Sequence, residues 1–196
     1  MKNGTIDILD DMENIFHMVD TIKTDFTKCG NNLREAGKHF NIKMLEHSDK
    51  SVKCIYGLQK KTLQEHSSKS DKTLKIDRLD YFTKGKMVLI YNINNNVYEF
   101  NRIKDVSGNV LIFSKGLQND YPKSSKIVAI KQVFYRLYKT RNLLKRKVDR
   151  IRFKPLAKNV TDLSITHFDE SKNVFYRIEV NRNVQIRGHI FLTSMV

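Results

Sequence analysis

The sequence predicts an α+β fold in which one long N-terminal amphipathic helix packs on an antiparallel, meander-like β-sheet. Apolar residues recur at a sustained helical spacing in the first 30 residues, and short runs of alternating polarity fill the chain after residue 86. Turn-forming residues separate those runs, and such segregation of helix and strands is typical of the α+β class. We therefore predict a helix (1–30) and a β-rich head (31–196), the head comprising a variable region (31–85) and a sheet (86–196).

The N-terminal helix is predicted by a stripe of apolar residues spaced alternately four and three apart, which places them on one helix face. Thr5 is a suitable N-cap, and Cys29-Gly30-Asn31-Asn32 is a stop signal. The stripe is expected to pack mostly on its own domain and partly on another subunit. It consists of Ile8, Met12, Ile15, Val19, Ile22 and Phe26. Its acidic flank consists of Asp7, Asp10, Asp11 and Asp20.

The strands follow in chain order. Residues 52–59 are typical of a strand, 60–72 of a polar loop, and 73–82 of either a strand or a short helix. After residue 86, runs with strand character flank turns at 93–96, 107–108, 139–142 and 181–183. In the last pair of strands, period-two spacing places Val174, Tyr176, Ile178 and Val180 on one face.

The segment 133–157, "VFYRLYKTRNLLKRKVDRIRFKPLA", is strongly basic and alternates apolar with basic residues. Alternation predicts a hairpin whose solvated face is basic. The same face suits nucleic acid, because Phe134 and Tyr138 can stack on bases while the cations bind phosphates. Both interpretations stay open. The candidate anion-binding residues are Arg136, Lys139, Arg141, Lys145, Arg146, Lys147, Arg150 and Arg152.

Composition favours an anionic partner without identifying it. The net charge of +15 suits nucleic acid, an anionic membrane face or an acidic protein. No apolar run approaches the ~20 residues needed to span a bilayer, and no signal peptide is visible. Either the protein is cytosolic, or a targeting segment is missing from this chain.

The residues that catalysis or metal binding would need are not grouped in the sequence. There is no Gly-rich phosphate loop, no G-x-S-x-G elbow and no H-E-x-x-H motif, and the six histidines are dispersed. We therefore expect no enzymatic activity, catalytic residue, metal site, cofactor or small-molecule substrate. Cys29 has Asp25 one helical turn away, which argues against a reactive thiolate. Cys29 and Cys54 form either one disulfide or two free buried thiols.

Two motifs, one near each end of the chain, carry a family resemblance. In 133–192 a strand with Tyr and Leu, a short turn and an L-x-R-x-x-D pattern precede a P-L-A-x-x-V segment and two further strands. In 22–30, "IKTDFTKCG" matches D-x-r-x-a-G at the end of a pilin helix. Together these resemble minor pilins and pseudopilins of the GspJ/PilW type. The matching residues are Asp25, Phe26, Gly30, Tyr135, Leu137, Leu144, Arg146, Asp149, Pro155, Leu156, Val160, Leu163, Phe168 and Ile178.

The resemblance implies a pilin-like fold and a non-catalytic structural subunit, at the tip or initiation complex of a type IV pilus or type II secretion pseudopilus. Its partners would be other minor and major pilin or pseudopilin subunits. The chain would be the soluble part, and a missing N-terminal helix half would anchor it in the inner membrane. The head would lie in the periplasm or outside the cell, and later at the filament tip. The rival prediction is a basic nucleic-acid-binding module, with a role in DNA uptake as one variant.

Overall fold

Two compact units make up the structure, which is a computed structural model describing residues 3–167, 173–181 and 184–192. Side chains of 3–11, 167 and 191 lie outside this description. The predicted stripe residue Ile8, the acidic residues Asp7, Asp10 and Asp11, and Phe168 of the family resemblance therefore cannot be placed. Unit 1 contains residues 1–29, 45–54 and 132–196, and unit 2 contains residues 30–44 and 55–131.

The predicted α+β class is wrong, because the chain is mostly β. Strands hold 51% of the residues, more than three times the share in helices, and they form two antiparallel sheets. We predicted a long helix packed on one meander sheet, whereas the structure has a mainly β architecture. In chain order the helices and strands are α1 (Asn3–Thr27), α2 (Arg34–Phe40), β1 (Leu45–Ser48), β2 (Ser51–Thr62), β3 (Thr73–Lys75), β4 (Met87–Asn92), β5 (Val97–Ser107), β6 (Val110–Phe113), β7 (Lys126–Tyr138), β8 (Leu143–Val148), β9 (Lys154–Lys158), β10 (Val160–His167), β11 (Asn173–Val180) and β12 (Val184–Phe191).

Helix α1 belongs to unit 1, where it lies against β9 and β12. Of the predicted stripe, Ile22 and Phe26 are buried, Ile15 and Val19 are half-buried, and Met12 is exposed. Met18, one turn before Ile22, is fully buried instead. The buried face is therefore rotated from the predicted stripe, because Met18 is also apolar and helical spacing alone does not choose between the two faces.

The strands of unit 1 form antiparallel pairs. The last residues of β7 pair with β8, β8 pairs with β9, and β1 pairs with the first residues of β2. Strands β10, β11 and β12 form a separate three-stranded sheet in sequential order. The predicted shared face of β11 is confirmed, since alternate residues are buried there: Val174, Tyr176, Ile178 and Val180.

Unit 2 contains α2 and a sheet that does not follow sequence order. Within this unit the strands are arranged β2-β7-β4-β5-β6-β3, so β7 returns to pair with β4 rather than following β6. A simple meander pairs consecutive strands, and this return breaks that pattern. The core of unit 2 is the set of buried side chains Leu63, Leu74, Ile76, Phe82, Val88, Ile90, Ile103, Leu111, Phe113, Leu117, Tyr121, Ile127 and Ala129.

Candidate functional site

The β7–β8 hairpin confirms the predicted turn at 139–142. Tyr138 pairs with Leu143, and a short 3-10 turn over Lys139–Arg141 connects the strands. Asn142 closes the turn in the left-handed conformation (φ 45°), which Asn tolerates better than most residues. Because side chains alternate along a strand, this register decides which basic residues share a face.

The outer face of the hairpin combines aromatic rings with cations, and we call it the basic-aromatic face. Phe134 lies opposite Lys147, and Arg136 lies opposite Lys145. Lys145 Nζ lies 4.7 Å from the centre of the Tyr138 ring. Lys147 Nζ lies 5.3 Å from the Phe134 ring and 5.6 Å from the Phe153 ring, and the Arg136 guanidinium carbon lies 5.6 Å from the Phe153 ring. The face comprises Phe134, Arg136, Tyr138, Lys145, Lys147 and Phe153.

The cations of the basic-aromatic face have no carboxylate neighbour among the residues that the structure describes. Within the described part of the chain, no Asp or Glu lies at ion-pair distance from Arg136, Lys145 or Lys147. Cation–π contacts at partly exposed sites contribute about 0.5–1 kcal/mol each, and they restrain the cations without neutralising them. The face therefore keeps its positive charge for an external anion.

Arg146 lies on the opposite, inner face of the hairpin. Its Nε donates to Asp25 Oδ2 at 2.7 Å, and its Nη2 donates to Asp25 Oδ1 at 2.9 Å. The hydroxyl of Tyr135, the cross-strand neighbour of Arg146, also donates to Asp25 Oδ2. The Tyr135 ring packs edge-on against Phe26, with ring centres 5.7 Å apart. Arg146 therefore serves an internal ion pair and is not part of the basic-aromatic face.

Burial gives this ion pair its electrostatic strength. The Asp25 side chain is 6% exposed and that of Arg146 27%. The hydrogen bond to Asp25 raises the pKa of Arg146 above its usual value. Burial, followed by the charge of Asp25, raises the pKa of the Tyr135 hydroxyl, so Tyr135 remains neutral and donates to the carboxylate. We call these three residues the Asp25 network.

The remaining predicted cations do not join the basic-aromatic face in one row. Lys139 lies in the turn, 4.0 Å from a carboxylate oxygen of Asp162, and Arg141 is exposed in the same turn. Arg150 and Arg152 are exposed in the segment between β8 and β9. The predicted set of eight cations is thus divided among the two hairpin faces, the turn and the following segment.

The two cysteines lie beside the Asp25 network. Both are fully buried, and no disulfide joins them in the described residues. The Cys54 thiol also donates to the backbone oxygen of Asp25 at 3.5 Å. Burial is the main cause that raises the pKa of Cys54, which disfavours its thiolate. Formation of a disulfide under oxidising conditions stays a prediction.

Sequence analysis assigned Arg146 to the anion-binding surface, did not connect Asp25 with Arg146, and did not connect Phe153 with the cations of the hairpin. Residues 144, 146 and 148 alternate along β8 and therefore share one face. Because the apolar Leu144 is buried, Arg146 lies on the inner face as well. Asp25 lies three residues after Ile22, on the buried side of α1. Phe153 lies outside the described strands, and no periodic pattern marked it as a partner of Arg136 and Lys147.

Two classes of feature do not occur in the described residues. No helix there is both long and apolar enough to cross a membrane. Nor do those residues contain a group of three or more His, Cys, Asp or Glu side chains placed to hold a metal ion.

Comparison with known proteins leaves the family open. No protein-family model matches the chain, and no curated protein matches it. Part of the chain resembles the solved structure of the Gp54 tailspike of Acinetobacter baumannii bacteriophage AP22 in complex with A. baumannii capsular saccharide. The identity is 16%, the match covers 40% of this chain and 15% of the tailspike chain, and the TM-score is 0.34. A likeness at this TM-score carries no argument about fold or function.

Proposed function

We propose that the protein binds single-stranded nucleic acid through its basic-aromatic face. The observation that carries the proposal is that aromatic rings and cations interleave on one side of a hairpin, where no described carboxylate pairs with the cations. Single-stranded nucleic acid offers the complementary pattern, because phosphates alternate with bases whose faces stack on aromatic rings. The net charge of +15 adds a long-range attraction for such a polyanion.

The experiment is an anisotropy titration with a fluorescent oligonucleotide of about 15 nucleotides, a length matched to common single-strand sites. The test variant combines Arg136→Gln, Lys145→Gln and Lys147→Gln. Exposed ion pairs contribute up to about 1 kcal/mol each, so we expect an affinity loss of about 100-fold at ~50 mM salt. The slope of log affinity against log salt should fall by about 2, as expected for three lost phosphate contacts on a single strand.

The matched control removes the same charge elsewhere, through Lys23→Gln, Lys28→Gln and Lys104→Gln. All three lysines are exposed and lie outside the hairpin. The control should keep affinity within about threefold, because its effect acts only through screened long-range charge. Equal losses in both triple variants would contradict a defined site. Tighter binding of heparin than of the oligonucleotide would contradict the role of base stacking.

A structural role as a minor pilin or pseudopilin subunit is a second proposal. It rests on the sequence resemblance, and one contact supports it. Asp25, from the motif at the end of the helix, binds Arg146, from the strand motif, although the two residues are 121 positions apart. An ion pair therefore joins the two sequence motifs on which the resemblance rests.

This second proposal is tested by isolating the protein from the cell envelope of its source. A structural role predicts recovery with subunits that carry a pilin signature helix, and it predicts reduced hetero-association at low salt when Asp10, Asp11 and Asp20 are changed to Lys. Recovery only from the soluble cytosolic fraction, without such subunits, would contradict it. That result would leave the nucleic-acid proposal untouched, because the anisotropy titration needs no envelope partner.

A further inference from the structure

Unit 2 contains a lysine-lined cleft that is separate from the residues of the hairpin. The end of β2, strand β3 and the segment leading into β7 enclose an open cavity of about 740 Å³. Five lysines line it, against two acidic residues, Glu65 and Asp77. The lysines are Lys60, Lys61, Lys75, Lys123 and Lys126.

Backbone hydrogen bonds hold the walls of the cleft together. Leu63 N donates to Ser125 O at 2.9 Å, which ties the end of β2 to the residue just before β7. Gln64 N donates to Lys75 O at 3.2 Å, which ties the same stretch to β3. The three lysine-bearing walls are thus fixed to one another by main-chain contacts.

Internal partners account for only part of the lysine charge. Lys61 Nζ lies 3.7 Å from Asp77, and Lys60 Nζ lies 3.4 Å from Glu35. Lys126 Nζ donates to Thr62 Oγ1 at 2.8 Å, which orients the ammonium group and leaves its other protons available. Among the described residues, no carboxylate lies at ion-pair distance from Lys75 or Lys123. The cleft therefore retains a local positive charge.

We propose that this cleft binds a small anion carrying several phosphate groups. Lysine ammonium groups act as point charges on phosphate. Several lysines around one cleft therefore match a ligand with several phosphate groups better than a ligand with a single phosphate. Among the described residues, the lining contains no aromatic ring, and its one large apolar side chain, Leu63, is buried. A nucleoside part would thus find no stacking partner, and the phosphates carry the recognition. The volume lies within the ~300–1,000 Å³ range of small-ligand sites.

The test is isothermal titration calorimetry of the full chain with tripolyphosphate at ~50 mM salt. Charge-assisted hydrogen bonds contribute enough that each removed lysine should weaken binding about tenfold. The variant Lys75→Gln/Lys123→Gln should therefore bind about 100-fold more weakly than the wild type. The charge-preserving variant Lys75→Arg/Lys123→Arg should stay within about fivefold, which separates lost charge from a disturbed fold. The matched control Lys104→Gln/Lys115→Gln should bind as the wild type does.

Two further ligands define the recognised group. Inorganic phosphate should bind at least about tenfold more weakly than tripolyphosphate, because it engages fewer ammonium groups. Adenosine triphosphate should bind no more tightly than tripolyphosphate, because the cleft lacks a surface for the base. The proposal is overturned by absent tripolyphosphate binding, by equal loss in the control, by equal binding of inorganic phosphate, or by a clear preference for the nucleotide. The hairpin triple variant should leave tripolyphosphate binding unchanged, so this result is independent of the oligonucleotide titration.

Discussion

The two faces of the β7–β8 hairpin use the same residue types for opposite purposes. Lys145 and Lys147 point to the outer side, where aromatic rings flank them and no carboxylate of the described residues neutralises them. Arg146, between them, turns inward and binds Asp25 through two nitrogen atoms. The difference shows that the environment, more than the charge, sets the energetic role of a cation. A buried ion pair is costly to break, whereas an exposed cation contributes little to stability and remains available to a ligand.

The largest effect is expected when the inner face loses its acid. Asp25→Ala leaves the Arg146 guanidinium without its carboxylate and the Tyr135 hydroxyl without its acceptor. Breaking one side of a buried pair costs about 3–5 kcal/mol, so the free energy of unfolding in urea should fall by that amount. Asp20→Ala is the matched control, because Asp20 is exposed on the same helix, and it should change stability by less than about 0.5 kcal/mol. A loss below about 1 kcal/mol for Asp25→Ala would show that the network is not a stabilising one.

A second prediction separates two neighbouring cations. Arg146→Gln should lower the free energy of unfolding by about 3 kcal/mol, because it leaves Asp25 buried without its counter-charge. The oligonucleotide affinity of its folded fraction should stay unchanged. Lys147→Gln should reduce oligonucleotide affinity about fivefold and lower the free energy of unfolding by only about 1 kcal/mol, because it removes two cation–π contacts but leaves no charge buried without a partner. Urea titrations and anisotropy titrations of both variants measure the two outcomes, and matching profiles would contradict the division between faces.

Tyr135→Phe tests the inner face with a smaller change. It removes one hydrogen bond while keeping the ring against Phe26, so stability at pH 8 should fall by about 1 kcal/mol. The raised pKa of Tyr135 in the folded state means that the wild type loses stability as pH rises above the unfolded value of about 10. The phenylalanine variant lacks this loss, so the difference in stability between the two proteins should shrink as the pH rises from about 9 to about 11. A difference that grows with pH would contradict this assignment.

The smallest change in the free energy of unfolding is expected for a variant on the outer face. Phe134→Leu keeps an apolar side chain but removes one ring from Lys147, which should cost about 0.5–1 kcal/mol of stability. The same variant should weaken oligonucleotide binding by roughly 1–3 kcal/mol if a base stacks on this ring. Binding more affected than stability supports the proposed role of the face. Equally small changes in stability and in oligonucleotide affinity would show that Phe134 stabilises the hairpin without contacting a base.

The hairpin was predictable from the sequence because the residues that determine its strands and its turn are close together in the chain. Alternation over 133–138 and 143–148 fixes the faces, and the polar residues between them favour a turn. The strand order of unit 2 was not predictable in the same way. Nothing near β7 indicates that it pairs with β4, because pairing between distant strands depends on tertiary packing rather than on local pattern. The α+β expectation failed for this reason, since local periodicity emphasised α1 and left the strands of 31–85 ambiguous.

The candidate site was only partly predictable for a related reason. Composition identified the cations. Alternation along the strand could have placed Arg146 on the face opposite to Lys145 and Lys147. The meeting of Asp25 with Arg146 joins residues 121 positions apart, and no spacing rule reaches that far. The lysine cleft likewise combines residues from the end of β2, from β3 and from the segment before β7, which become neighbours only in the folded unit.

The distance along the chain between Asp25 and Arg146 also sets an order of events during protein synthesis. Unit 1 takes its helix from the first 29 residues and most of its strands from 132–196. At ~5–20 residues per second, a ribosome makes Asp25 about 6–24 s before Arg146. During that interval the Asp25 carboxylate lacks Arg146, and the whole of unit 2 is synthesised before Arg146 is. The side of α1 that packs against β9 and β12 therefore stays uncovered until the C-terminal strands have been made.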